Sequence, residues 1–96
     1  MVIEFLTFAV DECDRDEWMR FEELTWSRFL ERQPGFVRKQ MWHERGKPNE
    51  VHAMIIWADD ASWAAVPVDE QAEVDATMGP WFRPCVLRTY DILRDS

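Results

Sequence analysis

Glu22 is the residue in this sequence with the clearest chemical potential. It lies four positions after Trp18 and four before Trp26, with Phe29 and Leu30 following. At about 100° per residue, Trp18, Met19, Trp26, Phe29 and Leu30 share one helical arc, and Glu22 falls inside it. A carboxylate enclosed by aromatic rings has its charged form disfavoured. Such a group can take a proton from a carbon acid or a phenol and return it. The competing reading is a rim glutamate that bends to solvent or pairs with an arginine. Glu4 is a second candidate base, the one ionisable group in the opening apolar run MVIEFLTFAV.

Two histidines flank the turn-rich stretch Gly46-Lys47-Pro48-Asn49. If these four residues close a hairpin, Arg45 faces Glu50, Glu44 faces Val51 and His43 faces His52. The two imidazoles can then act as acid and base near neutral pH, or sit exposed at the wet end of the hairpin. Without a third ligand nearby they make a poor metal site, so no metal is expected. Tyr90 can donate to a substrate oxygen or simply find a backbone acceptor. The catalytic candidates are thus Glu22, Glu4, His52 and Tyr90. The aromatic residues supply flat apolar walls for a pocket or fill the core and a subunit contact. The substrate-binding candidates are Trp18, Trp26, Phe29, Trp63, His43 and Trp81. No phosphate loop, nucleophile elbow or zinc spacing occurs.

Positioning these groups requires strands and two helical regions. Residues 36 to 58 read as two β-rich runs around the Gly46–Asn49 turn. In that register Val37, Lys39, Met41 and His43 share a face with His52, Met54, Ile56 and Ala58. Phe36, Arg38, Gln40 and Trp42 share the other with Ala53, Ile55 and Trp57. Residues 2 to 10 form a first strand, apolar on both faces. A helix follows over about 15 to 32, with Asp14 and Glu17 at its start and Gln33-Pro34-Gly35 at its end. Asp59 or Asp60 caps a short helix that Pro67 ends or kinks. Asp69 opens a second piece to about Met78, stopped by Gly79-Pro80; its weak apolar face suits a helix lying over an opening. Residues 85 to 93 form the last strand.

The order strand, helix, hairpin, helix, strand is the split βαβ pattern of a ferredoxin-like α+β sandwich. A single domain with a four-stranded antiparallel sheet is expected over residues 1 to 96. Its helices cover one face, yet the second face is also apolar. A second copy covers that face most simply. Burying ~800 Å² of apolar area is worth on the order of 20 kcal/mol before association costs, so a homodimer is expected.

The net charge of -8 opposes nucleic acid and anionic lipid surfaces as partners. No apolar run reaches the roughly 20 residues of a membrane span. The opening residues lack the basic region and cleavage site of a leader, and a cytoplasmic location is the expectation. Cys13 and Cys85, without a CxxC motif, are expected as free thiols.

Several landmarks together resemble the dimeric α+β barrel superfamily, most of all its antibiotic-biosynthesis-monooxygenase-like branch and a small bacterial set within it. They are Val2-Ile3-Glu4-Phe5-Leu6, Glu22 before Trp26, Pro34-Gly35-Phe36, Trp42, Ile56-Trp57, Trp63 with Val66-Pro67, and Met78-Gly79. The resemblance implies a dimer whose two sheets close into a barrel, with a pocket in each subunit between helices and sheet. It also implies cofactor-free oxygenase or cyclase/isomerase chemistry on a small hydrophobic, aromatic or polyketide-like molecule. The haem-degrading members carry a ligand histidine on the second helix; no histidine follows His52 here. No cofactor is therefore expected. The alternative is a non-catalytic dimeric binding protein for an apolar metabolite.

Overall fold

The computed structural model describes residues 1–96. Strand β1 (Val2–Ala9) leads through a 3-10 turn into helix α1 (Arg15–Glu22). A π-helical segment, Glu23–Ser27, joins α1 to helix α2 (Arg28–Glu31). Strands β2 (Phe36–Trp42) and β3 (Glu50–Trp57), helices α3 (Asp60–Ala64) and α4 (Val68–Met78), and strand β4 (Cys85–Asp91) complete the chain. The strands form one antiparallel sheet in the order β2-β3-β1-β4. This is the ferredoxin-like α+β arrangement that the element order predicts.

Local chemistry explains the boundaries. Asp59 caps α3, its Oδ1 accepting from Ser62 N at 2.7 Å. Gly79 ends α4 at φ +55°, and Gly35, in the turn that leads into β2, has φ +83°. Gly35 also has no room for a side chain, because a Cβ there would collide with Ser62. The expected helix over 15 to 32 forms, but not as one uniform α-helix. Within its π-helical turn, Thr25 Oγ1 donates to Phe21 O at 2.7 Å, a backbone contact that tends to bend helices.

The hairpin departs from the expected register. Lys47 N donates to Glu44 O at 3.1 Å, so the turn begins at Glu44. Gly46 occupies its third position with φ +88°, as a type II turn requires. Asn49 is drawn away from the strand, its carbonyl accepting from Val10 N at 3.1 Å and its Oδ1 from Glu12 N at 3.0 Å. Pairing therefore reads Trp42 with His52, Met41 with Ala53 and Lys39 with Ile55, and a bulge separates Phe36 from Arg38. His43 does not face His52. A slip of one residue exchanges the two faces of a strand. Lys39 and Met41 thus join Ala53, Ile55 and Trp57, while Gln40 and Trp42 join His52 and Met54.

The helices pack on the face that carries Val2, Ala53, Ile55 and Trp57, where Phe29, Leu30 and Val66 meet them. A second cluster joins Trp18, Val10, Val51 and Met78. The opposite face is built around Phe5, which stacks on His52 at 5.2 Å and meets Trp42 and Tyr90 edge-on. In the single chain Val37, Trp42, Val86 and Tyr90 are exposed. No helix is long and apolar enough to cross a membrane.

Candidate active site

A cavity of about 240 Å³ lies between the helix-side face of the sheet and the helices. Leu6, Ile55 and Trp57 wall it from the sheet; Trp26, Trp63 and Val66 wall it from the helical side. Its polar groups are Glu4, Glu22, Lys39, Gln71, Asp75 and Cys85, with Phe82 and Arg83 from the loop before β4.

Glu22 closes α1 and is 3 % exposed. Lys39 Nζ donates to its Oε1, and Ser27 Oγ donates to its Oε2 at 2.9 Å. Lys39 Nζ also donates to Ser27 Oγ at 2.8 Å. In a regular α-helix, positions five apart point about 140° away from each other. The π-helical turn between them returns Ser27 to the side of Glu22, and such turns recur at functional sites. The lysine and glutamate side chains are only 6 % and 4 % exposed, so this is a buried ion pair. Burial lowers the Lys39 amine from its ordinary 10.5; attraction to Glu22 and its hydrogen bond offset part of this.

Glu4 lies in the same cross-strand row, opposite Ile55 on β3, which in turn faces Lys39 on β2. Its Oε1 accepts from Trp57 Nε1 at 3.1 Å. Burial raises the Glu4 carboxyl above its ordinary 4.5, with the Trp57 bond and the Lys39 charge acting the other way. Asp75 reaches the cavity from α4 and accepts from Trp26 Nε1 at 2.9 Å. Burial raises it too, and that indole bond opposes the rise. The Cys85 thiol is pushed up first by burial and then by the negative charges of Glu4 and Asp75. Both cysteines are free.

The structure gathers some of the sequence candidates and scatters others. Glu4, Glu22, Trp26 and Trp63 share the cavity. Trp18 is core, packed on Phe8 at 4.9 Å, and Phe29 is buried in the other cluster. Trp81 stacks on Phe21 and under the Arg83 guanidinium, apart from the cavity lining. His52 and Tyr90 lie on the opposite face of the sheet, where His52 Nδ1 bonds Thr7 Oγ1 at 2.9 Å. His43 is exposed on the hairpin loop, its Nε2 donating to Lys47 O at 3.0 Å. Sequence reasoning leaves out Lys39, Ser27 and Asp75. The expected register turned Lys39 to the wrong face. Asp75 had a readable signal: it follows Gln71 by four on the weakly apolar α4, and both line the cavity.

The sheet and helices have the fold of solved structures described as antibiotic biosynthesis monooxygenases. No protein-family model matches the sequence, and no curated protein matches it. Among solved structures, the chain is similar to SnoaB, a cofactor-independent oxygenase from Streptomyces nogalater. That match has 21% identity over 98% of this chain and 94% of the other, with a TM-score of 0.69. It is also similar to a monooxygenase from the gene ActVA-Orf6 of Streptomyces coelicolor, solved in complex with nanaomycin D. There the identity is 14%, the coverage 98% and 92%, and the TM-score 0.75. A proposed antibiotic biosynthesis monooxygenase from Caulobacter crescentus matches with a TM-score of 0.77 at 15% identity, covering 97% and 90%.

Proposed function

We propose that this chain is a small-molecule enzyme that binds a flat hydrophobic molecule, aromatic or polyketide-like, and abstracts a proton from it with Glu4. The observation that carries this reading is the difference between the two cavity glutamates. Glu22 has both oxygens engaged by Lys39 and Ser27. Glu4 is bonded through one oxygen alone, and burial favours its taking up a proton. Glu22 therefore holds Lys39, and the proton passes to Glu4, leaving an enolate or phenolate anion. The anion then has two fates. In a cofactor-independent monooxygenase it reacts with O2, a CH2 group becoming a carbonyl as the second oxygen atom leaves as water. In a cyclase or isomerase it is reprotonated or closes a ring. The oxygenase from Streptomyces nogalater and the nanaomycin-bound monooxygenase, on the same fold, support this type of chemistry.

The working form in this proposal is a homodimer joined through the Phe5 face of the sheet. Its exposed Trp42, Val86 and Tyr90 support that arrangement.

The test is exchange of the α-protons of 2-tetralone, a neutral bicyclic carbon acid, in D2O. Wild type is expected to accelerate exchange over buffer, and Glu4→Gln to lose the acceleration while keeping its circular dichroism. Exchange by Glu4→Gln at the wild-type rate ends the assignment of Glu4. A second reading, a non-catalytic binding protein, draws on the Lys39–Glu22–Ser27 network being closed on itself. Saturable binding of the ketone without exchange selects it.

A further inference from the structure

The structure assigns Asp75 as a second acid–base residue, working from the helix side of the cavity while Glu4 works from the sheet side. This inference rests on the reading of Glu4 as base and names the substrate class of that site: a neutral planar ketone or phenol.

The two carboxylates are held alike. Each accepts one indole N–H, Glu4 from Trp57 at 3.1 Å and Asp75 from Trp26 at 2.9 Å. Neither carries an ion pair; the cavity cations are committed elsewhere, Lys39 to Glu22 and Arg83 to Asp14 at 3.8 Å. One oxygen of each carboxylate is left without a hydrogen bond from the protein, on the wall of one cavity. Cys85 lines the same cavity as both carboxylates, and burial first, then their charges, pushes its thiol up. Two carboxyl groups in one pocket, each with its proton held more tightly by burial, can divide the roles of acid and base. A tryptophan N–H needs only a neutral acceptor; a carboxylate in that place has a further use.

The step balances without a co-reactant. The Glu4 carboxylate takes a proton from the carbon beside the ketone. The C–H electron pair becomes the new C=C bond, and the carbonyl electron pair takes the proton of Asp75. The products are the enol, protonated Glu4 and ionised Asp75, and exchange with solvent resets both. A ligand bearing its own carboxylate or phosphate would meet three cavity carboxylates, Glu4, Glu22 and Asp75, and no uncommitted cation. An uncharged ligand fits this lining.

The charged and titratable groups around Asp75 are Glu4 on β1, Glu22 on α1, Lys39 on β2, Arg83 on the preceding loop and Cys85 on β4. Glu23, on the π-helical turn that packs against α4, is exposed, as are Glu70 and Glu73 on α4 itself.

The experiment is the pH–rate profile of 2-tetralone exchange. Wild type should give a bell whose two limbs belong to the Glu4–Asp75 pair, one group needed ionised and the other protonated. Asp75→Asn should lower the maximum by roughly 100-fold and remove the alkaline limb, with binding of the ketone retained. Asp75→Glu, which keeps a carboxyl group, should restore the limb; it also serves if the asparagine variant does not fold. An Asp75→Asn variant with both limbs intact overturns the inference, whether its rate is unchanged or lowered, and leaves Glu4 as base. Wild-type exchange by Glu4→Gln overturns both together. For the ligand class, 2-naphthol should bind at least tenfold more tightly than 2-naphthoate at neutral pH. Equal or tighter binding of the carboxylate contradicts the neutral-ligand assignment.

Discussion

Replacing Lys39 by Met should destabilise the protein severely, and the size of the loss follows from the site. The methionine matches the lysine stem but removes the ammonium from Glu22, which is 3 % exposed. Ser27 Oγ then remains as its donor, at 2.9 Å. Breaking a buried pair by deleting one partner costs about 3–5 kcal/mol, because a charge is left buried and uncompensated. Domains of this size unfold with only ~5–15 kcal/mol in total. At ~4–8 °C per kcal/mol the melting temperature should fall by at least ~12 °C. Removing both charges, Lys39→Met with Glu22→Leu, should recover most of the loss, since apolar replacements of buried pairs are often close to neutral. Urea unfolding followed by tryptophan fluorescence gives the double-mutant cycle directly. A loss below ~1 kcal/mol in Lys39→Met is the value of an exposed pair. It would refute the buried, mutually satisfied site. So would a double variant as unstable as the two single losses added.

The other predictions draw on separate parts of the structure. Burial raises Glu4 above 4.5, so the folded state holds that proton more tightly than the unfolded chain. The resulting stabilisation is complete below pH 4.5 and is lost as pH rises through the folded value. Glu4→Gln lacks this titration, so its stability relative to wild type should climb with pH above 4.5; a difference flat from pH 4 to 8 contradicts the assigned direction. Gly35→Ala should cost more than Gly46→Ala in urea unfolding. Both glycines have positive φ, but the added methyl meets Ser62 at Gly35 and open space at Gly46. Equal losses would mean that the Ser62 contact carries no weight. Sedimentation at micromolar concentration should show a dimer that Trp42→Lys dissociates; a wild-type monomer contradicts the proposed use of the Phe5 face.

How much of this could be read in advance depends on which forces set each feature. The element order and sheet follow from strong local signals: the Pro34-Gly35 stop, the Asp59 cap, the Gly79-Pro80 end and the apolar runs of β1 and β3. The inward position of Glu22 also follows, because the helical arc is a matter of spacing. The hairpin register is different. It turns on where Gly46 sits within its turn and on the contacts of Asn49 with Val10 and Glu12, residues far away in sequence. That single slip hid Lys39 and gave the two histidines a false neighbourhood. The π-helical turn has no periodic signature, so the return of Ser27 to Glu22 could not be foreseen from 100° steps. Asp75 was visible as a polar residue on a weak helix face, but its partner Trp26 lies 49 positions away, and such pairs emerge only from packing.

The most direct test of the central claim is a crystal structure with 2-naphthol bound. The ring should lie in the cavity between Trp26 and Trp63, with its hydroxyl within hydrogen-bond distance of the Glu4 carboxylate. A ring bound instead on the outer face of the sheet, against Phe5, His52 and Tyr90, would contradict it.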